Sequence, residues 1–301
     1  MEIIKKELAL FENELSKSLQ TSDNKLSSDM YNFVFRKSKK LRPKLLLLFA
    51  KGLGFEVDTK VLKLACATEL LHNSTLIHDD IIDNSFLRRG DQTLNKKYDE
   101  TISVLAGDYL LSLAMSLLSQ CNEVKVFDEF SKSMQLMCKG EINQFFEKKQ
   151  ILSFDEYIEK SKNKTAELYR AALVSLCHLL KVEEKNLIEN FAINFGIAFQ
   201  IKDDLLNVLN TDNSKPALSD LYNGIYTAPV LLLNKDVDIR TLKDEEIIFE
   251  LNSNKKYIAE TQNIIDDYVE KTMSNLLFMS ENDYKKQITE LCNNLKTINI
   301  T

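Results

Sequence analysis

The chain has 301 residues with a formal net charge of −6, 44% apolar side chains, seven Gly, three Pro and no Trp. So few helix breakers over that length favour an all-α protein, and nothing in the composition marks a division, so residues 1–301 read as one domain. The acidic balance argues against a nucleic-acid partner, whose phosphates call for a net basic face.

In chain order, residues 2–19 place charged and apolar residues at helical spacing without the continuous apolar run of a signal peptide or anchor. Periodicity then predicts helices near 27–51, 58–84, 100–119, 124–148, 154–180, 184–210, 225–234 and 255–296. Within them LSLAMSLLSQC and LYRAALVSLCHLL are apolar over most of their circumference, which suits buried helices walling a cavity. No stretch is read as approaching the roughly 20 apolar residues of a spanning helix. The expectation is a soluble cytoplasmic protein with no stable membrane insertion. Five scattered cysteines without a C-x-x-C pair read as buried thiols in a reducing compartment. The polar run 210–224, NTDNSKPALSDLYNG, is the clearest loop, and as a lid it would bring Lys215 to a substrate.

Two acidic clusters carry the chemistry. In LIHDDIIDNSFLRRG, Asp83 sits about 40° round the helix from Asp79 and Asp80 about 100° from it, so three carboxylates share one side. Carboxylates so close repel one another and need cations. Mg2+ suits them, because it takes one or two carboxylates and completes its shell with phosphates and water. His72 lies two turns earlier, and Arg88 and Arg89 follow, where guanidinium forks would clamp phosphate oxygens. The second cluster is Asp203 and Asp204 in FQIKDDLLN.

The motifs SKKLRP, ELLHNSTLIHDDIID with RRG, GDYL, KGEINQ, NKTAELY, FQIKDDLL and SKPALSDLYNGIYTAP stand in an order that resembles the trans-isoprenyl diphosphate synthases, or polyprenyl synthetases, from about residue 30 to 230. The resemblance implies a helical bundle around a deep central cavity. It implies that Lys39, Arg42 and His72, with Arg89, bind the diphosphate of isopentenyl diphosphate. Asp79, Asp80 and Asp83 would hold two Mg2+ ions on an allylic diphosphate, and Asp203 with Asp204 a third. Arg88, Lys164 and Lys215 would contact that diphosphate, and Thr165 and Gln200 would line the reacting centre beside the forming carbocation. A cation of this kind is attacked by the double bond of isopentenyl diphosphate, so the site needs charge clamps, register and exclusion of water, and no protein nucleophile. The implied partner is a second copy, in a homodimer.

Asn207, Ser214 and Ile225 depart from the family pattern, replacing a frequent Asp, Gly and Lys, and Gln92 replaces a frequent Pro. Thr75 and Ser74, four and five positions before Asp79, are not aromatic, so by resemblance the hydrocarbon tunnel is open there and deeper residues such as Leu71, Met115 or Leu118 set its floor. The expected product is a long all-trans chain of about six to eight isoprene units for a quinone, each unit matching a helical turn of about 5.4 Å. The alternatives are a shorter farnesyl or geranylgeranyl product, or a noncatalytic subunit of a heteromeric synthase. A class I terpene cyclase shares the fold and the first Asp cluster, but the second Asp pair and the set Lys39, Arg42 and His72 set this chain apart.

Overall fold

Side-chain caps and left-handed residues, rather than proline, punctuate the helices. The computed structural model describes residues 2–19, 25–36, 38–88, 90–209 and 218–297. Its helices are α1 (Lys5–Ser18), α2 (Lys25–Phe35), α3 (Leu41–Gly52), α4 (Thr59–Ile82), α5 (Leu94–Lys97), α6 (Glu100–Ser119), α7 (Val124–Phe146), α8 (Phe154–Ser161), α9 (Glu167–Leu180), α10 (Lys185–Val208), α11 (Ser219–Tyr222), α12 (Ala228–Leu233), α13 (Asp244–Ser253), α14 (Lys256–Ser274) and α15 (Asp283–Lys296). Asp58 and Asp99 cap α4 and α6 by accepting from the backbone N–H of Val61 and Ile102, and Ser153 forms a reciprocal capping box with Glu156 at α8. The sheet among the described residues is one hairpin, β1 (Leu87–Arg88) against β2 (Asp91–Gln92), turned by Gly90 at φ +84°.

The chain divides into two compact units. The first takes Met1–Ser131, Ala171–Lys185 and Met279–Ile288. Helix α4 is its centre and is buried around most of its circumference; α1, α2, α3, α5 and α6 pack on it. Small residues let α6 approach closely. The Ser74 hydroxyl donates to the Gly107 carbonyl at 2.8 Å, and a Cβ on Gly107 would lie 2.3 Å from His78 Nε2. The second unit takes Lys132–Arg170, Asn186–Phe278 and Thr289–Thr301, with a core of Val208, Leu221, Val230, Leu233, Ile247 and Leu251.

Several elements differ from the periodicity reading. The helix expected over 27–51 is broken before Leu41, where Lys40 adopts φ 43°. The expected 255–296 helix is two helices, α14 and α15. The run 154–180 is interrupted by a π-helical turn at Lys162–Ala166. Helix α13 and the hairpin were not expected, because short elements carry too few periods to register. Helix α6 also corrects the membrane reading, for by length and composition alone it is long and apolar enough to cross a bilayer. Isolated Ser residues and Asp108 interrupt its apolar run. Its face of Ala106, Gly107, Leu110, Ala114 and Leu118 is buried.

Candidate active site

In the first unit the three aspartates of the first cluster have different surroundings. Helix α4 ends in a Schellman motif, with Asn84 left-handed, its N–H on the Ile81 carbonyl and the Ser85 N–H on the Asp80 carbonyl. The stop leaves Asp79 half-buried and Asp83 exposed at the end of the helix, and turns the chain back into the hairpin. Asp80 is only 2% exposed, and its Oδ1 accepts from Arg88 Nε at 2.8 Å. Arg88 thereby ties β1 to α4. The hairpin is stitched further by Asn95 Nδ2 on the Asp80 carbonyl, Thr93 Oγ1 on the Ser85 carbonyl, and Arg36 Nη2 on the Gln92 carbonyl. Gln92, which departs from the family pattern, therefore sits in a strand pair and accepts from Arg36.

Lys39 is exposed in the break before α3, Arg42 is half-buried in the first turn of α3, and His72 is half-buried on α4. Leu71 and Ser74 are buried, and Thr75 is half-buried with its hydroxyl on the His72 carbonyl at 2.8 Å. Leu118 is buried and Met115 half-buried on α6. Arg89, Ser214 and Lys215 lie outside the described residues.

In the second unit the π-helical turn carries Lys164 and Thr165, a local widening of the kind often found at functional sites. Lys164 Nζ lies 2.5 Å from Glu141 Oε1 of the KGEINQ segment. Facing the turn, Gly196 of α10 lets the helix lie directly on Ala166, since a Cβ there would stand 2.4 Å from Ala166 Cα. The second Asp pair divides as the first does. Asp203 is exposed, while Asp204 is 5% exposed and accepts from the Tyr157 hydroxyl at 2.6 Å and from Gln200 Nε2 at 2.7 Å. The Thr165 hydroxyl bonds in turn to Gln200 Oε1.

Burial, then the charges of Asp220 and Asp203, push the Asp204 carboxyl up to about 7 against the pull of its two hydrogen bonds. The Tyr157 hydroxyl is raised well above its ordinary range by burial and by Asp204. One helical turn before Lys164, the half-buried Lys160 is lowered by burial and by the Lys164 charge.

Among the described residues no three or more His, Cys, Asp or Glu side chains form a ready-made metal cage. Asp79, Asp83 and Asp203 nevertheless fit Mg2+. They are hard oxygen donors that keep contact with solvent, and this ion leaves much of its shell to water and phosphate. Asp80 and Asp204, expected from the motif as further ligands, are instead buried on protein donors. The sequence reading missed Tyr157, Asn95, Gly107 and Gly196. Tyr157 lies far along the chain from the Asp204 carboxylate it serves, Asn95 donates to backbone carbonyls that no side-chain pattern reports, and a glycine gives no sign of the neighbour it admits.

The chain belongs to the polyprenyl synthetase family, whose sequence pattern it matches over residues 24–270. It is 33% identical over 275 residues to a prenyl transferase of Cyanidium caldarium, covering 89% of this chain and 84% of that one. It is also 33% identical over 230 residues to a geranylgeranyl diphosphate synthase of Saccharolobus solfataricus, covering 72% and 68%. The fold matches the crystal structure of heptaprenyl diphosphate synthase from Staphylococcus aureus with a TM-score of 0.92 at 26% identity, over 98% of each chain. The protein is thus a prenyltransferase built on the all-helical isoprenyl synthase fold.

Proposed function

We propose that the protein joins isopentenyl diphosphate to an allylic diphosphate, head to tail, and repeats the step to make an all-trans chain of about C30–C40, each unit matched by roughly one helical turn of about 5.4 Å. The observation that carries the reading is the partition of the first Asp cluster, with Asp79 and Asp83 presented at the end of α4 and Asp80 held back on Arg88. In this reading Asp79, Asp83 and Asp203 are the Mg2+ ligands, three ions in all. When bound, Mg2+ offsets the negative charge that grows on the departing diphosphate. Lys164 and Arg88 bind the allylic diphosphate, joined by Lys215. Lys39, Arg42, His72 and Arg89 bind isopentenyl diphosphate. Thr165 and Gln200 offer neutral oxygens where positive charge develops.

The test is incubation of the purified chain with labelled isopentenyl diphosphate, farnesyl diphosphate and Mg2+, with and without chelator, followed by sizing of the products. A chelator-sensitive ladder ending at one long chain is expected. No product from any allylic primer would instead support a partner subunit, with Asn207 and Ile225 as the residues to explain.

The relatives named above make geranylgeranyl and heptaprenyl diphosphates, so length is decided within this chain. Ser74 of α4 is buried against α6, and Ser74→Phe is expected to shorten the main product. An unchanged product ladder would remove Ser74 from the tunnel wall. We further propose a cytoplasmic homodimer. The exposed apolar residues Ile142, Phe145 and Phe146 on α7 supply an apolar face of the kind that a second copy would cover.

A further inference from the structure

With Asp204 as a carboxylate, which only accepts, the second unit contains a chain of hydrogen bonds whose direction is fixed from its buried end. Tyr157, 3% exposed on α8, donates to Asp204 Oδ2, and Gln200 Nε2 donates to Asp204 Oδ1. With its amide nitrogen committed to the carboxylate, Gln200 turns its amide oxygen to Thr165. An amide oxygen only accepts, so the Thr165 hydroxyl must donate. The Thr165 proton is therefore spent inside the protein, and its remaining lone pairs are free of it. A hydroxyl with this polarity can stabilise positive charge, whereas one turned the other way would present its proton. The backbone of Thr165 is held as well, because the π-helical turn is pressed against Gly196 through Ala166.

We infer that Tyr157 and Asp204 are positioning residues for prenyl transfer: they form a relay that sets the direction of the Gln200 amide and, through it, that of the Thr165 hydroxyl, so that the hydroxyl's oxygen lone pairs, not its proton, meet the allylic cation. The inference rests on the prenyl-transfer reading proposed above. It gives the buried aspartate of the second pair a task other than holding metal. It also explains why that carboxylate has a phenol on one oxygen and an amide on the other. Removing the phenol leaves Asp204 without the donor that seats its second oxygen. An Asn at 204 presents donor and acceptor in either order, so the direction of the Gln200 amide is no longer set.

The experiment is a double-mutant cycle between Tyr157→Phe and Thr165→Val, with Asp204→Asn beside it, measured as steady-state prenyl transfer at saturating Mg2+. Tyr157→Phe and Asp204→Asn are expected to lower kcat about 10- to 100-fold, with KM for both substrates and the half-saturating Mg2+ concentration unchanged. In the Thr165→Val background Tyr157→Phe is expected to cost nothing more, because the hydroxyl it orients is gone. A purely structural Tyr157 would lower the rate by the same factor in both backgrounds, which overturns the relay. A raised Mg2+ requirement in Asp204→Asn, with full rate at saturation, would assign Asp204 to the metal and also overturn it.

A binding measurement separates the relay from the proposed activity. An ammonium analogue of the allylic diphosphate, with its charge at the reacting carbon, is compared with the unreactive neutral thio-diphosphate by calorimetry. Wild type is expected to prefer the ammonium compound, and both relay variants to lose that preference. The preference without any turnover would sink the synthase reading and leave the relay standing. Turnover without the preference would do the reverse, and binding of neither compound would reject both.

Discussion

Asp80 and Asp204 are the two aspartates of their pairs that the fold buries, and each is held by a donor from a different element: Arg88 in the hairpin eight residues on, and Tyr157 on another helix. Their electrostatic situations differ. Asp80 has a guanidinium at 2.8 Å, whereas Asp204 has neutral donors and two acidic neighbours, which is why burial wins there and raises its carboxyl to about 7 from 3.8. A folded-state value above the unfolded one means that the native state holds the proton more tightly. Its contribution to stability is thus complete below about pH 4 and is lost as pH rises through about 7. Metal-free wild type is therefore expected to lose stability relative to Asp204→Asn between pH 4 and 7.5, by at most about 4 kcal/mol. Urea unfolding with chelator at several pH values checks this, and a difference independent of pH would show that Asp204 ionises without cost. A cation at Asp203 should reduce the effect, since a bound ion reverses the local balance of charge. For the other pair, Arg88→Ala leaves the Asp80 carboxylate buried without its guanidinium, an expected loss of roughly 3–5 kcal/mol, and the melting temperature of the metal-free protein reads it directly.

At the scale of elements, glycines decide how closely helices approach. Gly196 faces backbone, Ala166 Cα at 2.4 Å from a built Cβ, so Gly196→Ala must displace the π-helical turn and is expected to cost about 1–3 kcal/mol together with most of the activity. Gly107 faces the His78 side chain, which can rotate, and the matching Ala variant should be milder in thermal unfolding. Equal melting temperatures for wild type and Gly196→Ala would mean that the contact has slack. The same elements show what the sequence can disclose. Helices α4, α6 and α10 were legible because their apolar residues recur over five or more turns; the capping residues Asp58 and Asp99 at two of their starts emerge only in the structure. The break before α3 was not, since Lys40 in a left-handed conformation looks like any helix-tolerant lysine. The π-helical turn was hidden for a related reason: one extra residue in a turn leaves the apolar period almost unchanged. Within the candidate site, residue types and order are what single out the carboxylates and lysines proposed above. Which member of each Asp pair is buried depends on Arg88 and Tyr157, and no local pattern reports that.

At the scale of the molecule, four of the five cysteines are buried as expected, whereas Cys138 on α7 is exposed, against the reading of all five as buried thiols. Burial pushes the Cys121 and Cys292 thiols up to about 11 and about 12, and Cys66 further, so these react slowly with thiol reagents. Cys138 lies one and two turns before Ile142 and Phe145, on the same strip of α7. If that strip is where two copies meet, one thiol per chain should label fast in dilute protein and slowly at high concentration, in step with the mass measured by light scattering. Labelling independent of concentration would place the dimer contact elsewhere. The Asp80–Arg88 pair has a different kind of consequence, for descent rather than for assembly. Asp83 is exposed and Asp79 only half-buried, so replacing either is expected to harm folding less than replacing Asp80. Asp80 and Arg88 can change only together. A duplicated copy drifting away from catalysis would lose the outer two carboxylates first and keep the inner pair, so a relative with Asp80 and Arg88 intact but Asp79 and Asp83 gone would be one that has given up its chemistry and kept its shape.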